Sequence, residues 1–387
     1  MIGKTYQKAI YLDHNATTPI HPDALNEMLP YLENHFGNPS SNYPLGERAK
    51  RGVEKARKEV ANLLRCKEEN ILFTSGGTES NNMVLKGLVD FRIPEKHHII
   101  TSATEHPAIL NPALFLMELG VKLTILPVDG SGRVDPDQLK KSILPETVLI
   151  TIMTANNETG TLQPIREISE IARQHHVPFH TDAAQAVGKM PVDVLDPGLD
   201  FLTIAGHKLY GPKGVGVLYA RNIGPLTPLI HGAGQESGKR AGTENVILAA
   251  GLGAACRIAG SGMEKNFGKM TRLRNKLEEK LFGNIDGLVL NGHPTERLPN
   301  TLNVSVPGLE GAKILAGLPE IMASTGAACH DHSVTLSHVL SAMHVPPEVG
   351  MGAIRLSVGR NNTMEQIEEA SEQIINQVKR MRNGKRH

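Results

Sequence analysis

The stretch "DFLTIAGHKLYGPKGVGVLYA", residues 200–220, holds two short apolar runs on either side of a glycine-rich turn. Each run has the length and the composition of a buried strand. Lys208 stands just after the first run, where an ammonium group loses part of its hydration at a cost in free energy. Its amine either reaches water along the surface or serves as a chemical reagent. The residues that follow the neighbouring strands have to decide between the two.

The same alternation of short apolar strands and amphipathic helices runs from about residue 45 to residue 255. It predicts an α/β fold, a mostly parallel sheet covered by helices on both faces. From about residue 260 the sequence changes to long charged helices around short strands, which is typical of a smaller α+β domain. We place the large domain at residues 15–258 and the small domain at residues 1–14 and 259–387.

The composition excludes several classes of protein. Forty-one Lys and Arg residues nearly cancel 40 Asp and Glu residues, so the charge indicates neither a nucleic-acid nor a membrane partner. The three cysteines, Cys66, Cys256 and Cys329, are odd in number and widely spaced, which argues against a disulfide framework and favours a reducing compartment. The first residues lack the apolar segment of a signal peptide. We therefore expect a cytoplasmic protein, and we assign no residue to a metal site.

Polar residues follow the predicted strands at the edge where open parallel sheets bind ligands. Gly77 and Thr78 open a helix whose N–H groups can bind a phosphate, although Thr78 can equally be a simple helix cap. His106 follows the next strand and can stack on an aromatic ligand, or be an ordinary loop histidine. Asn156 and Asn157 can donate amide hydrogen bonds to a ligand or cap a turn.

The next two strand ends complete a chemical set. Asp182 closes the strand "VPFHTD" and is followed by Gln185, and a carboxylate there needs a partner such as a protonated ring nitrogen or a helix end. His207 and Lys208 follow the strand after it. A phosphate site, a stacking imidazole, an acid for a pyridine nitrogen and an amine for an imine are what pyridoxal 5'-phosphate requires. We therefore predict this cofactor, with Lys208 as its covalent anchor.

A series of longer segments occurs in order along the chain: "YLDHNATTP", "GNPSS", "FTSGGTESNN", "TEHPAIL", "NNETG", "HTDAAQAVGK", "GHKLYGPKGVG", "RAGTEN", "LPNTLNVSV", "GAACH" and "IRLSVGR". In these segments the chain resembles the NifS-type cysteine desulfurases and their relatives, the selenocysteine lyases. The resemblance implies a fold-type-I pyridoxal-phosphate homodimer that takes sulfur from L-cysteine, or selenium from L-selenocysteine, and leaves L-alanine.

The resemblance also implies roles for single residues. Lys208 matches the lysine that binds the cofactor as an imine, His106 the histidine stacked on its ring, and Asp182 the partner of its pyridine nitrogen. Gln185 and Asn157 match groups near the 3-oxygen. The full cofactor-binding set implied in this way is Gly77, Thr78, His106, Asn157, Asp182, Gln185, His207, Lys208 and Thr243.

Three further matches concern the substrate and the partner subunit. Thr243 in "RAGTEN" matches a threonine that reaches the phosphate site of the partner subunit. Arg355 matches the clamp for the substrate carboxylate, with Asn157 beside it, and a guanidinium fits a carboxylate in a bidentate manner. Cys329 matches the nucleophile, and His106 a group that transfers protons at the sulfur. A persulfide on Cys329 has to be handed to an acceptor, such as a scaffold protein for iron–sulfur clusters or a small thiol.

Two positions bear on the substrate. Ala205 stands where the family commonly has a serine that binds the phosphate, so one hydrogen bond is either missing there or supplied by another group. Ala205 and "GAACH" are similar to selenocysteine lyases, whereas Pro107 after His106 is similar to NifS-like desulfurases. We predict a cysteine desulfurase, with a selenocysteine lyase as the alternative. An aminotransferase of the same fold is the lesser candidate, because it would have no use for Cys329.

Overall fold

The computed structural model describes residues 9–325, 327–330 and 333–384, and for residues 327–330 and 333–334 it describes only the backbone. The helices are α1 (Pro22–Glu33), α2 (Pro44–Leu64), α3 (Gly77–Gly87), α4 (Pro107–Glu118), α5 (Pro136–Ser142), α6 (Ile165–Gln174), α7 (Val246–Ser261), α8 (Met263–Phe282), α9 (Gly311–Ala316), α10 (His338–Ala342), α11 (Pro347–Gly350) and α12 (Met364–Gly384).

The strands are β1 (Ile10–Tyr11), β2 (Ile71–Thr74), β3 (His98–Ser102), β4 (Lys122–Leu126), β5 (Thr147–Thr151), β6 (Phe179–Asp182), β7 (Phe201–Ala205), β8 (Gly216–Ala220), β9 (Val289–Leu290), β10 (Thr301–Ser305), β11 (Ile321–Met322), β12 (Ser324–Thr325), β13 (Ala327–His330), β14 (Ser333–Leu336) and β15 (Ala353–Ser357). A short 3-10 turn, Gly206–Lys208, directly follows β7.

A seven-stranded sheet in the order β2-β8-β7-β6-β5-β3-β4 forms the centre of the molecule. Its strands are parallel except β8, which runs antiparallel to both of its neighbours. One apolar core packs α2, α6 and α7 against the sheet, and a second packs α3 and α4. Helices thus cover both faces, which confirms the predicted α/β class and explains why the central strands read as continuous apolar runs.

A second sheet, in the order β12-β15-β10-β9, is antiparallel and shares a third core with α8 and α12. The N-terminal strand β1 pairs with β11, and Ile10 and Leu12 are buried in this third core. The domain boundary that we predict after residue 258 falls inside α7, and its position stays a prediction.

The connection from β2 to α3 depends on a glycine. Gly76 precedes α3 with φ at +156° and ψ at 178°, a backbone conformation that side-chain-bearing residues rarely adopt. A Cβ at Gly216 of β8 would lie 2.6–2.7 Å from Gly76 backbone atoms. The chain can therefore turn tightly here and place the start of α3 at the carboxyl end of the sheet.

In the described part of the chain, no single helix has the length and apolarity to cross a membrane. The bent pair α7 and α8, which meet at 77°, satisfies that criterion only when the two helices are taken together.

Candidate active site

A cavity of about 360 Å³ lies at the carboxyl ends of the parallel strands. Small-molecule sites typically measure about 300–1,000 Å³. Nine of the predicted site residues line it: Gly77, Thr78, His106, Asn157, Asp182, Gln185, His207, Lys208 and Arg355. Ala205 lines it as well. The fold thus brings together residues that are spread over nearly 280 positions of the chain.

One end of the cavity suits a phosphate group. Gly77 and Thr78 form the first turn of α3, and the first N–H groups of a helix have no partner within it. Ala205, at the end of β7, lies in the same wall and offers only a methyl group. His207 Nδ1 lies 3.1 Å from Thr17 Oγ1. Burial, with nearby Lys208 as the next cause, lowers the pKa of His207 to about 4, so its ring is uncharged at neutral pH.

Asp182 is held as a hydrogen-bond acceptor on both of its oxygens. Its Oδ1 accepts from the backbone N–H of Ala184 at 3.0 Å, and its Oδ2 accepts from Asn81 Nδ2 at 2.8 Å. The residue is 8% exposed at the end of β6. Two donors orient the carboxylate while leaving acceptor capacity for a protonated ring nitrogen.

His106 is the N-cap residue of α4. Its Nδ1 accepts a hydrogen bond from the backbone N–H of Ala108 at 3.1 Å, so the proton of the neutral ring is on Nε2. Desolvation lowers the pKa of His106, although the Asp182 carboxylate acts in the opposite direction. The cap fixes the ring at the cavity wall, where it can stack on a flat ligand or donate a proton from Nε2.

Lys208 points into the cavity from the 3-10 turn after β7. Its Nζ donates to the backbone carbonyls of Asn15 at 2.6 Å and Ala16 at 2.8 Å. Burial, followed by the nearby Arg355 guanidinium, lowers the pKa of Lys208 to about 8. The unprotonated amine is the form that attacks carbonyl carbons, and a lowered pKa makes more of this form available near neutral pH.

Arg355 of β15 also lines the cavity. Its Nη2 donates to Asp13 Oδ1 at 2.7 Å and to Ser324 Oγ at 2.9 Å, and its Nη1 donates to the Asn157 carbonyl at 3.1 Å. Its Nε has no partner among the described residues. A buried guanidinium with N–H groups to spare is suited to a carboxylate ligand.

The sequence argument missed four residues around the cavity. Asn81 orients Asp182, Asp13 orients Arg355, and Asn15 accepts from Lys208 and Gln185 through its backbone carbonyl. Lys189 lies behind Gln185. All four residues lie in segments that carry the family resemblance: Asp13 and Asn15 in "YLDHNATTP", Asn81 in "FTSGGTESNN" and Lys189 in "HTDAAQAVGK". The sequence does not single them out, because these segments also contain ordinary structural residues.

Asn156 does not face the cavity. Its Oδ1 accepts from the backbone N–H groups of Glu158 and Thr159, both at 2.9 Å, so its side chain caps a turn. The sequence left open whether Asn156 and Asn157 bind a ligand or cap a turn. Asn156 caps a turn, whereas Asn157 lines the cavity.

Thr243 and Cys329 are the two remaining predicted site residues. Thr243 is exposed. Cys329 belongs to β13, where its backbone pairs with that of Val334 in β14, and its side chain lies outside the described part of the structure. Cys256 is buried and Cys66 half-buried, and burial raises the pKa of both thiols to about 12. Neither of these two thiols is in the reactive, ionised form at neutral pH.

The donor set fits pyridoxal phosphate. A helix N-terminus faces the phosphate end, Asp182 offers an anion for the ring nitrogen, His106 offers a flat imidazole, and Lys208 offers an amine of lowered pKa.

Comparisons with known proteins agree with this geometry. The family model for "Aminotransferase class-V" matches residues 10–369. "Cysteine desulfurase IscS" of Methanosarcina thermophila is 45% identical over 381 residues, 98% of this chain and 94% of the relative. The protein of the same name from Dictyoglomus turgidum is 46% identical over 363 residues, 93% of this chain and 92% of the relative. A solved structure entitled "NIFS-LIKE PROTEIN" superposes with a TM-score of 0.89 at 36% identity, covering 95% of this chain and 98% of that chain.

Proposed function

Because this chain belongs to the class-V aminotransferase family and, within it, to the pyridoxal-phosphate-dependent cysteine desulfurases, we propose that its cavity converts L-cysteine to L-alanine and leaves the sulfur as a persulfide on Cys329. One observation carries the proposal: Lys208, Asp182, His106 and Arg355 line a single cavity.

Each residue has a task that follows from its surroundings. Gly77, Thr78 and His207 hold the phosphate, and Asp182 keeps a proton on the ring nitrogen. When bound, the cofactor supplies an aldehyde for Lys208 Nζ and a ring that withdraws electrons. Arg355 binds the carboxylate of the substrate with N–H groups that Asp13 and Ser324 leave free. The substrate amino acid then lies between the Lys208 amine and the Arg355 guanidinium.

Proton transfer falls to two residues. Lys208 Nζ, with its pKa lowered to about 8, takes the proton from the substrate Cα. His106 Nε2 serves the substrate sulfur, because Nδ1 is occupied by the backbone N–H of Ala108.

Sulfur transfer from the substrate requires one cysteine of the chain, Cys329. The Cys329 thiolate forms an S–S bond to the substrate sulfur, the substrate Cβ–S bond breaks, and its electron pair with a proton completes L-alanine. The persulfide then passes to an acceptor protein or small thiol, with iron–sulfur cluster synthesis as one destination. We expect the reaction in the cytoplasm.

A homodimer is part of the proposal. Leu25, Leu29 and Leu32 of α1 are exposed, and their spacing puts them on one face of the helix. Phe36, shortly after the helix, is 78% exposed. Exposed large apolar side chains that cluster in this way are typical of an interface. Thr243 is exposed and therefore accessible to the phosphate site of a second copy.

The alternative substrate is L-selenocysteine, favoured by one observation: Ala205, a residue similar to that of selenocysteine lyases, lies in the cavity wall. Side-by-side measurement of alanine release from L-cysteine and L-selenocysteine separates the two activities. Alanine release without added keto acid excludes an aminotransferase.

Two variants test the residue roles. Lys208→Ala should lose the visible absorbance of the bound cofactor, and an unchanged spectrum would contradict the assignment of Lys208. Cys329→Ala should lose sulfur release while L-cysteine still perturbs the cofactor spectrum. Cys66→Ala and Cys256→Ala are the matched controls and should retain activity, since neither thiol is ionised at neutral pH. Full turnover by Cys329→Ala would show that another group accepts the sulfur.

A further inference from the structure

Lys189 is a buried lysine behind the cavity wall. It is 4% exposed, and its Nζ donates to Asn15 Oδ1 at 3.1 Å and to Gln185 Oε1 at 2.5 Å. Within the described ranges, no carboxylate forms an ion pair with it, and burial lowers its pKa well below the ordinary value. A buried amine without a counterion is costly, so its retention calls for a reason beyond packing.

The contacts of Lys189 lead directly to Lys208. Both hydrogen bonds of Lys189 Nζ run to side-chain amide oxygens, so the oxygen of the Gln185 amide faces the amine. The Gln185 Nε2 then donates to the Asn15 carbonyl at 2.9 Å. That same carbonyl accepts from Lys208 Nζ at 2.6 Å. The Lys189 side chain thus fixes the Gln185 amide. Through its contact with Asn15 it also fixes the backbone carbonyl that accepts from Lys208 Nζ.

We propose that Lys189 is a positioning residue of the cofactor site, which fixes the Gln185 amide and the Asn15 carbonyl that binds Lys208 Nζ. The inference rests on the role proposed above for Lys208 and on the role near the 3-oxygen that the family resemblance implies for Gln185. In this orientation Gln185 keeps its second N–H for the cavity, where it would donate to the 3-oxygen of a bound cofactor and stabilise that oxygen as an anion. A stabilised anion would attract the proton at Lys208 Nζ less strongly, so Lys189 would lower the proton affinity of that nitrogen.

Other charges act on the same atoms. The groups with an electrostatic effect on Lys189, Lys208 or both are Arg355, Asp13, Asp182 and the two lysines themselves. His14 and His207, which both feel Lys189, have pKa values lowered to about 4, by burial above all. Their rings stay uncharged above about pH 5, so a titration from pH 6 upwards reports on the lysines rather than on these histidines.

The first test is Lys189→Met in the full chain. We expect about a tenfold rise in the dissociation constant of pyridoxal phosphate for the apoenzyme, the effect of losing one well-placed hydrogen bond to a charged group. The pH midpoint of the visible band of the holoenzyme should move upwards. Met matches the lysine stem, and the unfolding temperature of the apoenzyme, measured alongside, shows that the variant is folded. Lys213→Met, which removes an exposed lysine near His207, is the control and should leave all three values unchanged.

A double-mutant cycle tests whether Lys189 acts through Gln185. Gln185→Ala should weaken cofactor affinity by a similar factor, and the double variant should be no weaker than either single variant. Effects that multiply, or a Lys189→Met enzyme with wild-type affinity and midpoint, would overturn the proposal. If Lys189→Met does not fold, Lys189→Gln replaces it. Its amide ends short of Nζ, so the same shifts are expected, and wild-type values would again contradict the inference.

The outcome is separable from that of the proposed function. Lys208→Ala tests the covalent anchor by loss of the visible band, whatever Lys189 does. If Lys189→Met has wild-type cofactor affinity and pH midpoint while Lys208→Ala loses the visible absorbance, only the role of Lys189 is rejected. The proposed function of the cavity then stands.

Discussion

The two halves of the cavity wall are assembled in different ways. In the half built on the seven-stranded sheet, two functional groups have partners close in sequence: Ala108 orients His106, and Ala184 orients Asp182. In the other half the partners are distant, since Arg355 and its carboxylate partner Asp13 are 342 positions apart. Local turns therefore set part of the first half, although the distant Asn81 also holds Asp182 and Asn15 holds Lys208. The second half depends wholly on partners that folding brings to Arg355, Asp13 and the Asn157 carbonyl. Cofactor binding should depend mainly on the first half, and substrate-carboxylate binding on the second.

The largest effect that we expect in the first half comes from Asp182→Asn. Asparagine preserves the shape but removes the negative charge that keeps a ring nitrogen protonated. We expect kcat to fall about 100-fold or more, the scale of losing a preorganised electrostatic group. Steady-state kinetics with spectra of the bound cofactor would measure it. Asn81→Ala, which removes one donor to Asp182 and keeps its charge, should have a smaller effect in the same direction. A larger effect for Asn81→Ala would show that orientation matters more than charge.

The second half is tested by Arg355→Lys. A single ammonium cannot reproduce the fork that a guanidinium presents to a carboxylate. We expect KM for L-cysteine to rise about 10- to 100-fold, the loss of one charge-assisted hydrogen bond, while cofactor affinity stays within about twofold. Arg360→Lys is the matched control, because Arg360 stacks on Tyr210 outside the cavity. A parallel loss of cofactor affinity in Arg355→Lys would mean that the two halves are not independent.

The same division explains what the sequence could predict. His106, Asp182 and Lys208 follow strands whose apolar pattern is visible, and polar residues at such ends are conspicuous. Lys189 and Asn15, 174 positions apart, owe their importance to a contact made after folding. No local periodicity marks such a pair, because burial of a polar side chain depends on what the distant chain brings against it.

Glu105 offers a smaller test of the first half, through stability. It is fully buried beside His106, its Oε1 accepts from Ser102 Oγ and the Met153 N–H at 2.8 Å, and its Oε2 has no partner among the described residues. Burial raises the pKa of Glu105 to about 8. Between about pH 4.5 and 8 the folded state therefore binds more protons than the unfolded state, and stability falls as pH rises through this window.

Glu105→Gln removes that proton linkage. We expect the variant to lose the fall in stability between about pH 4.5 and 8 and to gain on the order of 1 kcal/mol over the native chain at pH 8. Urea unfolding of the apoenzyme at several pH values measures the difference. An unchanged pH slope would show that Glu105 titrates normally. Glu79→Gln is the control, and its effect on the pH dependence of stability should have the opposite sign. Hydrogen bonds from Arg240 and Ser75 outweigh burial there and lower the pKa of Glu79.

The smallest expected effect concerns Ala205, where the first half of the wall departs from the family. Its Cβ lies at 3.4 Å from the position that a Cβ on Gly77 would take, so the two residues face each other across the start of α3. A hydroxyl in Ala205→Ser would add one donor beside the phosphate end, and we expect cofactor affinity to rise about two- to tenfold. Ala205→Val, which adds bulk without a donor, is the matched control and should weaken affinity. If serine leaves affinity unchanged, another group already satisfies the phosphate there, and the departure from the family has no energetic consequence for cofactor binding. If affinity rises while the ratio of selenocysteine to cysteine turnover falls, Ala205 contributes to substrate choice as well, and the sheet-built half of the wall does more than hold the cofactor.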